Sequence, residues 1–574
     1  MNLLKLKDEQ LISKITQDFQ KAENHRLNYE EKWKNNYRLY RSLVKEKREG
    51  RANLFIPYIF PIVEQLKART QQALFKKLPY VGFAGVEPTD VDGAEIMESL
   101  VGFQMDTKIN LPYKTNTAFT SIFVYGFCVA RYEWKYEEKK VKSRQPITLP
   151  LMGREIQIGE EEVEELITSY DDPDIEYIPV DDFYWDPEGW DSKTCKYYCT
   201  RVFKDTDYLK QKEKEGKYKL PDDVENEMFG EELATNFRED VTGISILDNG
   251  DRKKTHEIIS YYTDEHHIVM LNRKYIILKE ENPLYSKEKP FKIGKAIPLE
   301  KELPGLSIVE VLADLQEELN ATRNQRIDNV SLILNKVWKK RRSADIDEAD
   351  LVSQPGAIIE MDDIRNDLEP LDYPDVTQSA YREEEIIKQD MQYISGVSEY
   401  ARGATPQRKE TATTVTTIQE AANLLFNYTI GIIERTLLLP LGDALKKLNQ
   451  QYLDKPKIIR LLGEAGYEYK EVTPEEIVGN FDVVSKSPSL EAEANKEVKR
   501  GQLLEMLDIF TSNPLTQQHI NVVELMKEIM SQYDIKDYSK FIIEQQPTEQ
   551  QSIIPNQMPT QQEALMEMSE DNGM

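Results

Sequence analysis

PGLSIVEVLADLQEELNATRNQRIDNVSLILNKVWKK, Pro304 to Lys340, is the stretch whose reading decides the fold. Pro304 and Gly305 interrupt what precedes, and Ser307 with Glu310 three residues later makes a capping box, so a helix starts at Ser307. Ile308, Leu312, Leu315, Leu319, Ile327, Val330, Leu334 and Val337 recur at three- and four-residue steps, except for a polar gap around Arg323. That pattern leaves one apolar stripe on a largely polar rod. Unbroken to Trp338, the helix would be about 48 Å long at 1.5 Å per residue. No catalytic signature lies inside it, so its role reads as architectural.

Beyond this rod comes a basic knot, Lys336, Lys339, Lys340, Arg341 and Arg342, and then SADIDEADLVSQPGAIIEMDD. A second helix is predicted over Thr377–Ile394, with Tyr381, Ile387, Met391 and Ile394 on one side and Arg382, Glu383, Glu385 and Asp390 elsewhere. It would run antiparallel to the first, with Gly396 ending it, and an insert between two such helices has hairpin topology. Ser398–Thr411 reads as a loop carrying Glu399, Tyr400, Arg402, Arg408 and Lys409. A third helix spans Ala412–Leu448, and Pro440 deep inside it predicts a kink or break.

Working outward, residues 8–48 read as one or two helices with Leu11, Ile15, Phe19, Leu27, Trp33, Tyr37 and Tyr40 as spaced apolar positions, lying outside the domain that follows. Asn53–Lys77, with Pro57 and Pro61, reads as a buried turn entering a helix, and helices follow near Gly93–Thr107 and Tyr113–Val124. Strand character begins at Phe127, where Tyr132, Trp134 and Tyr136 alternate with Arg131, Glu133 and Lys135. Further strands are predicted at Ile147–Ile158, Ile175–Trp185, Lys196–Phe203 and His256–Tyr262, with a hairpin over His267–Lys279 turning at Asn272-Arg273. Ile458–Leu462 and Phe481–Ser485 add strands, and Glu491–Tyr533 resumes helical periodicity. The fold class is α+β, in more than one domain, because 574 residues exceed the ~250–300 at which single cores stop growing. From Gln545 the chain is rich in Gln and Pro and is expected to be disordered, save for a short helix near Glu563–Met568.

The charge balance, 74 Lys and Arg against 102 Asp and Glu, is −28, opposite to what a protein that grips nucleic acid needs. Three cysteines are too few for a disulfide framework, and Cys195 with Cys199 lacks the second pair that a closed zinc site requires. MNLLKLKDEQ has no apolar signal core, and Glu434 and Arg435 interrupt the most apolar run, Asn423–Leu441, so neither export nor a membrane span is expected.

Three polar clusters invite a catalytic reading and fail on spacing. Asp181, Asp182 and Asp186 point to alternating faces of an extended segment and suit a turn better than a metal. His266 and His267 face apart and read as surface positions. Asp347-Glu348-Ala349-Asp350 spells a helicase tetrapeptide, yet no phosphate-cradling G-x-x-x-x-G-K-[ST] occurs in the chain. No catalytic, cofactor-binding or metal residues are therefore assigned.

Taken in order, PFKIGKAIPLEKELPGLSIVEVLADLQEELNATRNQRIDN (Pro290–Asn329), ISGVSEYARGATPQRKETATTV (Ile394–Val415) and FDVVSKSPSLEAEANKEVK (Phe481–Lys499) resemble the portal, or head-to-tail connector, proteins of tailed bacteriophages. IEYIPVDDFYWDP resembles that family's wing region, where an aromatic-rich strand ends at an Asp-Pro turn. The resemblance implies a wing with N-terminal helices over 1–303, stem helices at 304–337 and 375–395 flanking a clip at 338–374, and a tunnel loop at 396–411. It further implies a long kinked helix and wing return over 412–487, a crown at 488–544 and a tail at 545–574. On that reading Trp338, Lys339, Lys340, Arg341 and Arg342 belong to clip contacts with neighbouring subunits and the motor, and Glu399, Tyr400, Arg402, Arg408 and Lys409 face a DNA channel. The implied protein is a non-enzymatic ring of twelve subunits at one capsid vertex, without cofactor or membrane, found in the virion and during assembly in the host cytoplasm. Its implied partners are double-stranded DNA bound without sequence preference, the terminase large subunit, the major capsid or scaffolding protein and the tail adaptor. The alternatives are another virion structural protein, such as an adaptor or minor capsid component, and a metal-dependent nucleic-acid enzyme.

Overall fold

The structure is a computed structural model that describes residues 3–44, 50–151, 154–222, 224, 255–335, 337–347, 351, 358–375, 377–397, 424–463, 466–486 and a few positions between 503 and 530. The chain forms two compact units, one of Met1–Leu461 with Tyr469–Asn495 and one of Leu462–Glu468 with Lys496–Met574. The first carries the helices and sheets that bear on function. The predicted helical run Glu491–Tyr533 lies almost wholly outside the described residues, and the tail from Gln545 wholly so.

Ser307 is the N-cap of the long helix Ile308–Leu334. Its Oγ accepts from the amides of Val309 and Glu310 at 3.1 and 3.4 Å, and lies 2.9 and 2.7 Å from the carbonyls of Phe123 and Val124, to which it donates. The Glu310 carboxylate turns to Lys32 at 2.9 Å, so the cap rests on the serine. The helix stops at Leu334, short of Trp338, which at 27 residues makes it about 40 Å long. Val337–Lys340 leaves the helix because it pairs antiparallel with Leu368–Leu371, and long-range pairing overrides the local periodicity. The approach to Ser307 is tight: Gly126 has φ +92°, and a Cβ there would stand 2.0 Å from the Gly305 carbonyl oxygen.

In chain order the helices are α1 (Asp8–Tyr40), α2 (Ile59–Phe75), α3 (Val91–Phe103), α4 (Leu111–Tyr125), α5 (Thr206–Lys214), α6 (the long helix), α7 (Thr377–Ser395) and α8 (Leu424–Tyr452). A ladder of polar side chains on α6 holds the segment between α1 and α2. Gln316, Asn320, Asn324 and Asp328 stand four residues apart, and their side-chain oxygens accept the amides of Tyr58, Ile56, Leu54 and Ala52 at 3.2, 2.9, 2.8 and 2.6 Å. Gln316 and Asn324 return donors to the Ile56 and Leu54 carbonyls at 2.8 and 3.0 Å. Four helical residues rise about 6.0 Å and two extended residues about 6.6 Å, so the two repeats stay in step over four rungs.

α1 is one helix and bridges two cores rather than lying outside one. Leu11, Ile15, Phe19 and Ala22 pack on a five-stranded meander, β4 (Phe183–Trp185), β5 (Tyr198–Asp205), β6 (Thr255–Tyr262), β7 (His266–Leu271) and β8 (Tyr275–Glu281). Further along, Trp33 and Leu39 enter the main core with α2, α3, α4 and α8. α5 covers the other face of the meander through Leu209, where Ile258, Val269 and Leu271 point, opposite to Ile259, Ile268 and Met270. The predicted turn at Asn272-Arg273 forms with both residues at positive φ.

Several predicted strands regroup. β2 (Phe127–Leu151) and β3 (Arg154–Ile178) are two 25-residue arms of one hairpin. The expected single strand Ile147–Ile158 is therefore its tip, where Thr148 faces Gln157 and Leu151 faces Arg154. The expected strand Ile175–Trp185 is cut at Pro179, which starts the short turn Val180–Asp182 and passes the chain to another sheet. β1 (Val81–Gly85), not predicted, pairs with β14 (Phe481–Ser485), and β9 (Phe291–Lys295), also unpredicted, pairs with the root of β2. β12 (Lys457–Gly463) stands where a strand was expected, followed by β13 (Gly466–Val472). Of the kink or break expected at Pro440, the helix does not break: a π-turn at Glu434–Leu438 precedes the proline, with the Leu439 amide reaching the Glu434 carbonyl. Residues 412–423 of the predicted third helix lie outside the described residues.

The ladder yields a graded expectation. Gln316 is fully buried, so Gln316→Leu orphans two amides and a carbonyl and should destabilise the protein by about 2–3 kcal/mol. Asn324 binds an exposed rung, so Asn324→Leu should cost under ~1 kcal/mol, because water replaces the lost partner. Thermal midpoints of the two variants check this; equal losses would show that burial does not set the ladder's contribution.

Candidate functional site

The long helices α6 and α7 are joined by a charge cluster. Glu384 on α7 is buried; its Oε1 accepts hydrogen bonds from Arg323 of α6 and, at 2.9 Å, from Lys388 of its own helix, while Arg326 of α6 stands 2.9 Å from its Oε2 as an ion pair without hydrogen-bond geometry. The Arg326 guanidinium also lies 3.8 Å from the centre of the Tyr381 ring, so α6 meets α7 through one charged and one aromatic contact. The polar gap in the α6 stripe is thus the place where α7 docks. Glu384 lies three and seven residues before Ile387 and Met391, both buried, so it occupies an apolar-stripe position. The sequence reading named Glu383 and Glu385 and missed it; an acid on the buried face, opposite two arginines in a stripe gap, was the available signal.

Burial alone would push the Glu384 carboxyl up, but hydrogen bonds from Arg323 and Lys388 outweigh it and hold it below its ordinary value of 4.5. A depressed folded-state pKa contributes stability above 4.5 that is lost as pH falls through the folded value.

At the far end of α6, β10 (Val337–Lys340) and β11 (Leu368–Leu371) form the base of the insert, with Trp338 opposite Pro370 and Lys339 opposite Glu369. Lys339 Nζ stands 3.6 Å from Glu369, Lys340 Nζ donates to the Ile346 carbonyl at 2.7 Å, and the Arg341 amide continues the pairing to the Asp367 carbonyl at 3.0 Å. The side chains of Arg341 and Arg342 are exposed. Trp338 is half-buried, and its indole N–H has no acceptor among the described residues. At the turn Asp363 is held below the ordinary carboxylate range by the Asn366 side chain and the Arg365 amide. Ile358 and Ile364 are 82% exposed, so the insert offers bare apolar side chains beside its charges. Lys336, Glu348, Ala349 and Asp350 lie outside the described residues, as do Glu399, Tyr400, Arg402, Arg408 and Lys409.

The clusters weighed for catalysis resolve into structure. Asp181 and Asp182 form the turn before β4, and Asp186 accepts the amides of Glu188 and Lys196, both at 3.1 Å. His266 is buried rather than at the surface, because its strand passes under α1, while His267 stacks on Tyr262 at 4.3 Å between ring centres and meets Glu280 at 2.8 Å. Cys195 and Cys199 are buried free thiols, Cys195 pushed up to about 12 by burial. No group of three or more His, Cys, Asp or Glu among the described residues is arranged to hold a metal ion. α8 is long and apolar enough by composition to cross a membrane, yet Leu437, Leu438, Leu441, Leu445 and Leu448 are buried in the protein core and Thr436 exchanges hydrogen bonds with Lys295 of β9.

Among the described residues, then, an α+β body bears two ion-paired helices flanking an insert whose base is the β10–β11 pair. The family model described as phage SU10 portal protein matches residues 11–571, and the chain belongs to that family of tailed-phage portal proteins. Comparison with curated proteins finds no match.

Glu384→Gln should lower the stability of the α6–α7 pair by about 2–3 kcal/mol, below the ~3–5 kcal/mol of a fully buried pair because Arg323 and Lys388 stay about a third exposed. The deficit, read from thermal midpoints of wild type and variant across pH, should be constant above pH 5 and shrink below 4.5. A deficit that does not change with pH would show that packing, not charge, is what the variant loses.

Proposed function

We propose that this chain is the repeating subunit of a closed ring of twelve at one capsid vertex, a conduit for double-stranded DNA during packaging and ejection. The observation that carries this reading is the family match across residues 11–571. In it α6 and α7 are the stem, and the insert from β10 to β11 is the clip, whose exposed Arg341, Arg342, Ile358 and Ile364 and unpartnered Trp338 N–H suit contacts with a neighbouring subunit, the terminase large subunit or a tail adaptor. The crown side would meet the major capsid or scaffolding protein. ATP hydrolysis belongs to the terminase on this reading, and the chain acts as structure rather than enzyme. Its localisation is then the virion, after assembly in the host cytoplasm.

The surplus of 28 negative charges suits a wall along which DNA slides, since dense phosphate contacts would brake it. Arg402, Arg408 and Lys409 are assigned by resemblance to the channel, where ion pairs are screened over about 8 Å at physiological salt and exchange as DNA passes.

Rings with a central hole are expected in negative-stain images and a matching mass by mass photometry, in protein purified alone or recovered from particles. Monomers and dimers from both sources would sink the reading. Replacing Arg402, Arg408 and Lys409 by Glu should leave rings intact and reduce the DNA content of heads severalfold; full genomes in normal heads would remove those residues from the channel.

A further inference from the structure

The β2–β3 hairpin does something the rest of the fold does not explain. Its root is well held: Trp134 stacks on Tyr452 at 5.6 Å, its indole donates to Asp171 at 2.8 Å, and buried Asp172 meets Lys457, Lys108 at 3.3 Å and Gln104 at 3.2 Å. From Tyr136 outward both strands leave the body. Tyr136 is 57%, Leu166 61% and Ile167 48% exposed, and Leu166 and Ile167 lie on opposite faces, so both faces are open at these described positions. At ~3.3 Å per residue the free arm from Glu137 to its tip is about 50 Å long. A lone two-stranded ribbon is marginal in water, so an arm of this length needs a partner.

Both backbone edges of the arm are open among the described residues. β9 covers β2 only over Phe127–Arg131, and the Pro290 carbonyl takes the Tyr132 amide at 3.1 Å; beyond that no described strand lies on the edge of β2 away from β3. β3 is the edge of its sheet throughout. The two edges carry opposite charge. By sequence, beyond Glu138 the β2 arm carries Lys139, Lys140, Lys142 and Arg144 and no acid, whereas β3 up to Ile167 carries six glutamates against Arg154 alone. Inside the hairpin these strands already face one another, Lys142 opposite Glu164 at 3.7 Å and Arg144 opposite Glu162 in register.

We propose that the arms of neighbouring copies of this chain add edge to edge, the anionic β3 of one beside the cationic β2 of the next. This rests on the ring reading above and names a contact that would hold the ring together. Charge selects the geometry. Joining β2 to β2 or β3 to β3 sets like charges side by side, which destabilises, while β3 to β2 repeats the complementarity already inside each hairpin. Copies related by rotation present one arm's descending strand to the next arm's ascending strand, so the added pairing is antiparallel like the internal one. The contact uses two different edges, so it is heterologous, and a heterologous contact that closes gives a ring. It also hides the open edges that an isolated sheet must otherwise protect.

Two variants of the full chain test this. In the first, Lys139–Ile167 is replaced by Asn-Gly, which joins Glu138 to Thr168 and keeps the root. The subunit should keep its circular dichroism and melt near wild type, while the fraction in rings at equal concentration falls at least tenfold. In the second, Lys139, Lys140, Lys142 and Arg144 become Glu, and Glu161, Glu162, Glu164 and Glu165 become Lys. Each hairpin keeps its internal complementarity, so this chain should form rings alone but be excluded from rings of co-expressed wild type, as native mass spectrometry of differently tagged chains reads. Mixed rings in statistical proportion, or shortened-arm chains that assemble like wild type, would overturn the arm contact and leave the portal reading standing. A wild type that forms no ring alone or in particles overturns the portal reading, and the arm contact with it. If the reversed chain does not fold, the shortened chain decides.

Discussion

Two elements packed on α6, the extended segment before α2 and α7, are positioned by polar side chains on different sides of that helix. A helix through a protein core ordinarily offers leucines to its neighbours, but this one offers Gln316, Asn320, Asn324 and Asp328 to an extended backbone and Arg323 and Arg326 to Glu384. Directional bonds fix register where apolar packing would permit slippage. The extended segment can sit only where its alternate amides meet rungs four residues apart, and α7 only where its single buried acid meets two guanidinium groups. That is a sound way to hold a rod whose length and angle matter more than its burial. An orphaned rung or an unpaired buried charge costs more than the pair contributes, so misregistered states are penalised most.

The same logic of paired polar groups reaches the rest of the first unit. Gln104 and Asn449 exchange reciprocal amide hydrogen bonds at 2.8 and 2.7 Å in full burial, joining the π-turn after α3 to α8. Glu257, fully buried on β6, holds Arg273 at the hairpin turn through bonds of 2.8 and 2.9 Å. α1 is fixed on α6 by Lys32 with Glu310 and Arg38 with Glu317, at 2.9 and 2.6 Å. A chain so rich in charge matches its charges at these seams between elements.

Local chemistry was legible. Ser307 as a cap, Gly396 as a helix end with φ +68°, the Asn272-Arg273 turn and the alternation after Phe127 each depend on a few neighbouring residues, and each stands where the sequence put it. The family resemblance was legible too, because it rests on the order of several short pieces along the chain, and the match over residues 11–571 agrees with it.

Pairing partners were not legible, since they are chosen across hundreds of residues. Val337–Lys340 carries the helical period of α6 yet becomes a strand because Leu368–Leu371 lies beside it. Ile147–Ile158 reads as one strand and is the reversal of a hairpin, because the register of β2 on β3 is set at the anchored root. β1 and β9 are too short and glycine-bearing to announce themselves, and they are strands only because β14 and β2 offer edges to them. Glu384 looks like one acid in a run of three until α6 brings Arg323 and Arg326 to it. By itself the sequence determined the caps, turns, periodicities and family, all consequences of neighbouring residues and backbone geometry. Only the tertiary structure decided which edges pair and which buried charges meet, because those depend on complementarity between elements that the linear order keeps apart.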